Sequence, residues 1–108
     1  MAERTIIETI QKYIKKLEGE SIPVSFVVLF GSQARGNTHE WSDIDVMVVS
    51  ALFDRPRSRE DRLQLAYIAF NVDSRIEPLA CGLKQWTEDT SSMIIEIARR
   101  EGQCIQAA

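Results

Sequence analysis

Two apolar runs, residues 24–30 ("VSFVVLF") and 43–50 ("DIDVMVVS"), are separated only by the polar stretch 31–42. Their β-branched and aromatic content marks them as buried strands. The joining stretch is too short for a full crossover helix, so the two strands are expected to run antiparallel. The remaining segments must pack around that pair. Residues 4–18 read as an amphipathic helix, with Ile6, Ile7, Ile10, Tyr13, Ile14 and Leu17 on one side and Lys12, Lys15 and Lys16 on the other. Gly19 is its expected stop.

A loop containing Pro and Arg leads to "SREDRLQLAYIAF". Its Ser58 and Asp61 form a capping-box start, and Leu63, Ala66, Tyr67 and Phe70 are the expected inner face of a second helix. "SRIEPLAC" is a third strand, with Pro78 indicating a sheet edge or strand end. "TSSMIIEIARR" is a last helix, with two arginines in its final turn and Gly102 after it. "QCIQ" is a candidate terminal strand. The order α-β-β-α-β-α, with a candidate last β, describes an α/β (α+β) protein: a mixed sheet of three to four strands with helices packed on it.

At 108 residues the chain is expected to form one small domain, residues 1–108. A net charge of −3 argues against a broad basic surface for nucleic acid. No apolar run approaches a membrane span, and "MAERTIIETIQKYIKK" mixes acids with bases and has no continuous apolar segment. A signal peptide is therefore not expected, and the reading is a cytoplasmic protein without membrane contact. Cys81 and Cys104 lie in apolar surroundings without a C-x-x-C pattern and are expected to be reduced and buried.

The chemistry concentrates around the joining stretch. Side chains alternate along a strand, so Asp43 and Asp45 project from one face in a row with Met47 and Val49, while Ile44, Val46 and Val48 face the other way. Two carboxylates about 7 Å apart repel, and a divalent cation relieves that repulsion. Oxygen ligands of this kind suit Mg²⁺, which fills its other positions with water and substrate phosphates. Gly31 at the end of the preceding strand lets the backbone approach a ligand closely, and the turn it starts exposes N–H groups to an anion. Ser32 adds a hydroxyl donor, and Arg35 a charge-assisted contact to phosphate.

"GSQARG" followed by "SDIDVMV" resembles the signature of the polymerase β-type nucleotidyltransferases, G-S and then D-x-D after ten intervening residues. Here that is Gly31-Ser32 and Asp43-Ile44-Asp45. The chain's length points to the minimal nucleotidyltransferase (MNT) branch. The resemblance implies the nucleotidyltransferase fold and transfer of a nucleoside monophosphate from an NTP, with ATP the preferred donor and two Mg²⁺ ions at the site. It also implies a third carboxylate on a neighbouring strand. Glu77, within "SRIEPLA", is preferred over Asp73, which lies in the turn before that strand. Metal and catalysis then fall to Asp43, Asp45 and Glu77, and phosphate binding to Gly31, Ser32 and Arg35. Relatives of this type act as antitoxins beside HEPN-domain toxins, some by AMPylating a tyrosine of the toxin. The implied partner is thus a HEPN protein in a hetero-oligomer, with a type VII-like antitoxin role. The rival reading is a non-catalytic subunit that neutralises the toxin by binding alone.

Other residues have plainer readings. Arg55, Arg57, Arg59 and Arg62 form a basic cluster, either a solvated surface or a contact for an acidic partner or RNA. His39 reads as a surface residue, and Trp41 and Trp86 as packing or interface side chains. Tyr13 and Tyr67 are expected on inner helix faces.

Overall fold

A computed structural model describes residues 3–35 and 42–107, apart from the side chains of Ser32 and Arg35. The expectations for His39, Trp41 and Gly36 lie outside the described residues, as do those for the Ser32 and Arg35 side chains. The elements in order are α1 (Arg4–Gly19), β1 (Phe26–Phe30), the short α2 (Ser32–Arg35), β2 (Ile44–Ser50), a 3-10 turn (Ala51–Asp54), α3 (Arg59–Val72), β3 (Ile76–Gly82), α4 (Leu83–Glu88), α5 (Met93–Glu101) and β4 (Gln103–Ile105). Sequence patterning anticipated this order, short elements apart: α2, the 3-10 turn and α4 carry too few residues for a periodic signal.

The four strands form one sheet in the order β3-β2-β1-β4. β1 runs antiparallel to β2, as the short connection requires, and antiparallel to β4. β2 and β3 are parallel, joined through α3, which makes the sheet mixed. β3 forms one edge, where Pro78 lacks only a hydrogen bond that an edge strand can forgo.

One sheet face carries Val27, Leu29, Ile44, Val46, Val48 and Ile76 and is covered by α1 and α3. Within α1, Ile6, Ile10, Tyr13, Ile14 and Leu17 are buried, each contributing roughly 1.5–3 kcal/mol by leaving water. The buried Tyr13 hydroxyl donates to the Leu65 carbonyl oxygen at 2.9 Å, so α1 is pinned to α3 by a polar bond inside the apolar layer. Burial also pushes the Tyr13 phenol pKa up. The opposite face carries Val28, Phe30, Met47, Val49 and Cys81, packed under Ile95 and Ala98 of α5. Trp86 of α4 meets Phe26 edge-to-face at 5.6 Å and lies under the Arg99 guanidinium at 5.7 Å, a packing role. Gly102 ends α5 where an added Cβ would strike the Ala98 carbonyl and Val28, so only glycine lets the chain turn this close to β1.

Three expectations need correction. The capping box of α3 forms as read, with the Ser58 hydroxyl accepting from the Asp61 N–H at 3.2 Å and Asp61 accepting from the Ser58 N–H at 3.1 Å. The inner face is the other one. Leu65, Ile68 and Ala69 are buried, whereas Leu63 is 55%, Tyr67 72% and Phe70 68% exposed, with Ala66 exposed beside them. The helix carries two apolar stripes, and periodicity alone does not say which one the sheet covers. Tyr67 accordingly is a surface residue, unlike Tyr13. Finally, Cys104 is exposed: it lies on the edge strand β4, whose next residue, Ile105, points into the core instead. Cys81 is buried and free as expected, and burial pushes its thiol up to about 11.

Candidate active site

The face of the sheet that packs under α5 is left uncovered at the start of β2 and β3. Alternation along β2 sends Ile44, Val46 and Val48 into the α1/α3 core and Met47 and Val49 to the α5 side, so Asp45 lies on the α5 side too. Along β3, Ile76 and Cys81 fix the same parity and put Glu77 on that side. The parallel register pairs Asp45 directly with Glu77, and the antiparallel register pairs Asp45 with Phe30. Adjacent strands are about 4.8 Å apart, so the two carboxylates are neighbours by construction. Asp43 is exposed, immediately before β2.

The electrostatics agree with that proximity. Burial, and then the charge of Asp43, hold the Asp45 pKa above the usual carboxylate range. The Asp43 charge first, then burial and the charge of Asp45, raise that of Glu77. No ion pair of the described residues offsets these three acids. They form a local excess of negative charge.

Asp73, the rival third acid, is engaged elsewhere. Arg75 grips both its oxygens, Nε to Oδ1 at 3.1 Å and Nη2 to Oδ2 at 2.8 Å, and the Arg75 N–H adds a bond of 2.9 Å. Those bonds hold its pKa below the ordinary value. Asp73 thereby closes the turn into β3, and the Arg75 carbonyl in turn accepts from the Ile44 N–H at 2.8 Å, fastening the start of β3 beside Asp43 and Asp45.

Gly31 follows β1 with φ of +74°, a conformation that side chains disfavour. A Cβ there would sit 2.5 Å from Asp45 Oδ2, so glycine is needed both for the turn and for room beside the carboxylate. The turn continues into α2, which puts the backbone N–H groups of the Gly-Ser segment at the same end of the sheet as the acids. Sequence reasoning missed Gln33. It is buried, and its Nε2 donates to the Ser42 carbonyl at 3.3 Å, tying this turn to the residue before Asp43. A polar side chain among polar loop residues gives no periodic signal of that role.

The carboxylates form part of the wall of an open groove of about 700 Å³, with Phe30, Phe70, Leu79 and Ile94 supplying apolar wall. Phe70 is there because α3 faces outward on its second stripe. Of the basic cluster, Arg55 pairs bidentately with Asp61 at 3.0 and 3.1 Å, and Arg57 bonds the Phe53 carbonyl and Gln85 Oε1, which makes both structural.

A Gly turn against paired carboxylates at one end of a mixed sheet is the arrangement on which comparison with known proteins bears. Residues 7–102 match the family model described as the nucleotidyltransferase domain. The chain belongs to the nucleotidyltransferase domain family. Several solved structures resemble this nucleotidyltransferase domain. A toxin–antitoxin complex with AMP-PNP is 25% identical with a TM-score of 0.61, covering 91% of this chain and 73% of that one. A mutant of the MntA-HpeT toxin–antitoxin pair is 24% identical with a TM-score of 0.63, covering 92% and 72%. A nucleotidyltransferase candidate from Sulfolobus solfataricus, 15% identical with a TM-score of 0.62 over 93% and 78%, shares the fold. No curated protein matches the sequence.

The donor set suits a divalent cation in kind: hard oxygen ligands, mutually repelling, in a domain family that works on NTPs. Among the described residues no three His, Cys, Asp or Glu side chains already converge as a metal cluster. Asp45 and Glu77 are nonetheless neighbours in register, and Asp43 acts on both through its charge. No helix of the described residues is long and apolar enough to cross a membrane.

Proposed function

We propose that this nucleotidyltransferase domain transfers AMP from ATP to a tyrosine hydroxyl of a HEPN-domain toxin, and so acts as the toxin's antitoxin. The observation that carries the reading is the pairing of Asp45 with Glu77 across β2 and β3, beside Asp43 and under a glycine turn that leaves space for Asp45. Asp43, Asp45 and Glu77 would hold Mg²⁺, with Asp73 excluded by its bonds to Arg75. When bound, two such ions supply charge neutralisation along the triphosphate and lower the pKa of the attacking hydroxyl. The Gly31–Ser32 backbone and the Ser32 hydroxyl hold the β and γ phosphates, and Arg35 offsets the charge on the leaving group. Glu77, beside Asp45 in the sheet register, takes the hydroxyl proton. The tyrosine oxygen bonds to the α phosphorus, the bond from that phosphorus to the bridging oxygen breaks, and pyrophosphate leaves. Positioning and electrostatics carry most of the rate. The likeness to a toxin–antitoxin complex with AMP-PNP supports both the donor and the class of partner.

The test is incubation of the chain with ATP, Mg²⁺ and its purified toxin, followed by intact-mass measurement. One AMP-sized gain on the toxin is expected, and none with Asp43→Asn plus Asp45→Asn. A well-folded sample that gives no gain with any NTP sinks the reading. If the double variant still protects cells from the toxin, the non-catalytic antitoxin that works by complex formation replaces it.

A further inference from the structure

The groove beside the acids has a direction, set by the order of the strands. Across the sheet from β1 to β3 lie the Gly31 turn, then Asp45, which a Cβ at Gly31 would strike, then Glu77, paired with Asp45 in register. Beyond Glu77 the polar character ends. Leu79 follows two residues later on the same face of β3, while Phe70 lines the groove from the outer stripe of α3 and Ile94 from α5. All three are exposed, yet they converge on one concavity instead of lying scattered over the surface. The groove thus runs from the glycine turn, past the carboxylates, to an apolar wall.

In-line displacement puts the attacking and leaving oxygens on opposite sides of the α phosphorus. With pyrophosphate at the Gly31–Ser32 turn, the acceptor hydroxyl comes from the side of Glu77, and the group that carries it occupies the apolar wall. The ribose branches away from that axis, so the nucleobase is not what the wall faces. The free edge of β3 limits the carrier further. There the Ile76 N–H is bonded to the Asp73 carbonyl at 3.0 Å and Pro78 has no N–H, so neither offers a donor to an incoming main chain. A serine or threonine hydroxyl sits one carbon from its main chain and would draw unpaired peptide groups against Phe70, Leu79 and Ile94. A tyrosine carries its hydroxyl at the far end of an apolar ring. The ring meets the wall, the hydroxyl meets the carboxylates and the main chain stays in water. We propose that Phe70, Leu79 and Ile94 form the acceptor subsite of this groove, binding the ring of the tyrosine that receives AMP and selecting aromatic over aliphatic hydroxyls.

This rests on the reading of the acids as a nucleotidyl-transfer site, so binding and transfer are measured separately. NMR titration of the chain, with Mg²⁺ and α,β-methylene-ATP to fill the donor side without reacting, compares N-acetyl-tyrosinamide with N-acetyl-serinamide. The tyrosine probe is expected to bind at least about tenfold more tightly, and Phe70→Ala to weaken it about tenfold. That loss should fall on the probe and not on the nucleotide analogue. Leu63→Ser, on the same stripe of α3 but outside the groove, should change neither. Should Phe70→Ala fail to fold, Ile94→Ser makes the same comparison. In transfer to the purified toxin, Phe70→Ala should raise the KM for the toxin about tenfold with kcat nearly kept, the mark of lost uniform binding. A toxin whose acceptor tyrosine is replaced by serine should take AMP at least about 100-fold more slowly. No preference for the tyrosine probe overturns the proposal. So does a Phe70→Ala loss that falls on the nucleotide analogue, which would give the wall to the nucleobase. A tyrosine probe held through Phe70, with no AMP-sized gain on the toxin from any NTP, leaves the aromatic subsite standing and sinks the transfer reading instead.

Discussion

Replacing Gly31 with Ala perturbs the backbone and the chemistry by different, separable amounts. At φ of +74° an L-residue carries a penalty of about 1–2 kcal/mol. The smaller conformational freedom of Ala in the unfolded chain returns roughly 0.4–1 kcal/mol, which leaves a net loss near 1 kcal/mol. For a domain of this size that lowers Tm by roughly 4–8 °C. The new Cβ also falls 2.5 Å from Asp45 Oδ2, against about 3.3 Å or more for an ordinary carbon–oxygen contact. The carboxylate is the far end of a turning side chain, so it moves away by nearly 1 Å, and the fold survives. Its reactive geometry does not, because a displacement of about 1 Å costs on the order of 100-fold in rate. Urea denaturation and single-turnover AMP transfer read the two effects in the same preparation. In an Asp45→Ala background the contact disappears, and Gly31→Ala should then cost only its backbone share, about 1 kcal/mol. A Gly31→Ala protein that turns over at the wild-type rate would refute the close-approach argument. One that melts at the wild-type temperature would refute the backbone argument.

The pKa shifts of the acids predict an unusual pH response. In the metal-free protein, Asp45 and Glu77 have pKa values raised above those of the unfolded chain, Asp45 by burial and then the Asp43 charge, Glu77 by the Asp43 charge first, so their ionised forms weaken the fold at neutral pH and the cost is relieved as pH falls through the raised values. Asp45→Asn should therefore raise the metal-free Tm at pH 7, with the gain shrinking toward pH 4; a loss at pH 7 would contradict the charge balance. Asp73 has the opposite sign: its lowered pKa gives stability that is present above the unfolded value and lost as acid protonates it. Asp73→Asn should destabilise by about 1–2 kcal/mol while leaving nucleotide transfer near wild type, and Glu77→Gln should do the reverse. Equal activity losses in these two variants would undo the assignment of the third carboxylate. Gly102→Ala forces a methyl against the Ala98 carbonyl and Val28, so chemical denaturation should show a loss of about 1–3 kcal/mol.

The two strands, their antiparallel relation and the shared face of Asp45, Met47 and Val49 were all readable from spacing, because strand periodicity and a short connection admit few alternatives. The helix order was readable for the same reason. Local pattern could not rank the two apolar stripes of α3, since each satisfies helical spacing. Only the sheet and α1, through Leu65, Ile68 and Ala69, settled which stripe is inside. That outcome turned Leu63, Tyr67 and Phe70 from expected core into exposed surface, with Phe70 lining the groove of Asp45 and Glu77. Similarly, the sequence offered both Glu77 and Asp73 as partners for the aspartate pair. In the folded chain Glu77 lies across from Asp45, while Arg75 pairs with Asp73, and these two observations are why Glu77 is the acid proposed. What periodicity and spacing encode is local, and so legible in one dimension. Which helix face is covered, which strands are neighbours and which charge is already neutralised depend on residues distant in sequence, and only the folded chain brings those together.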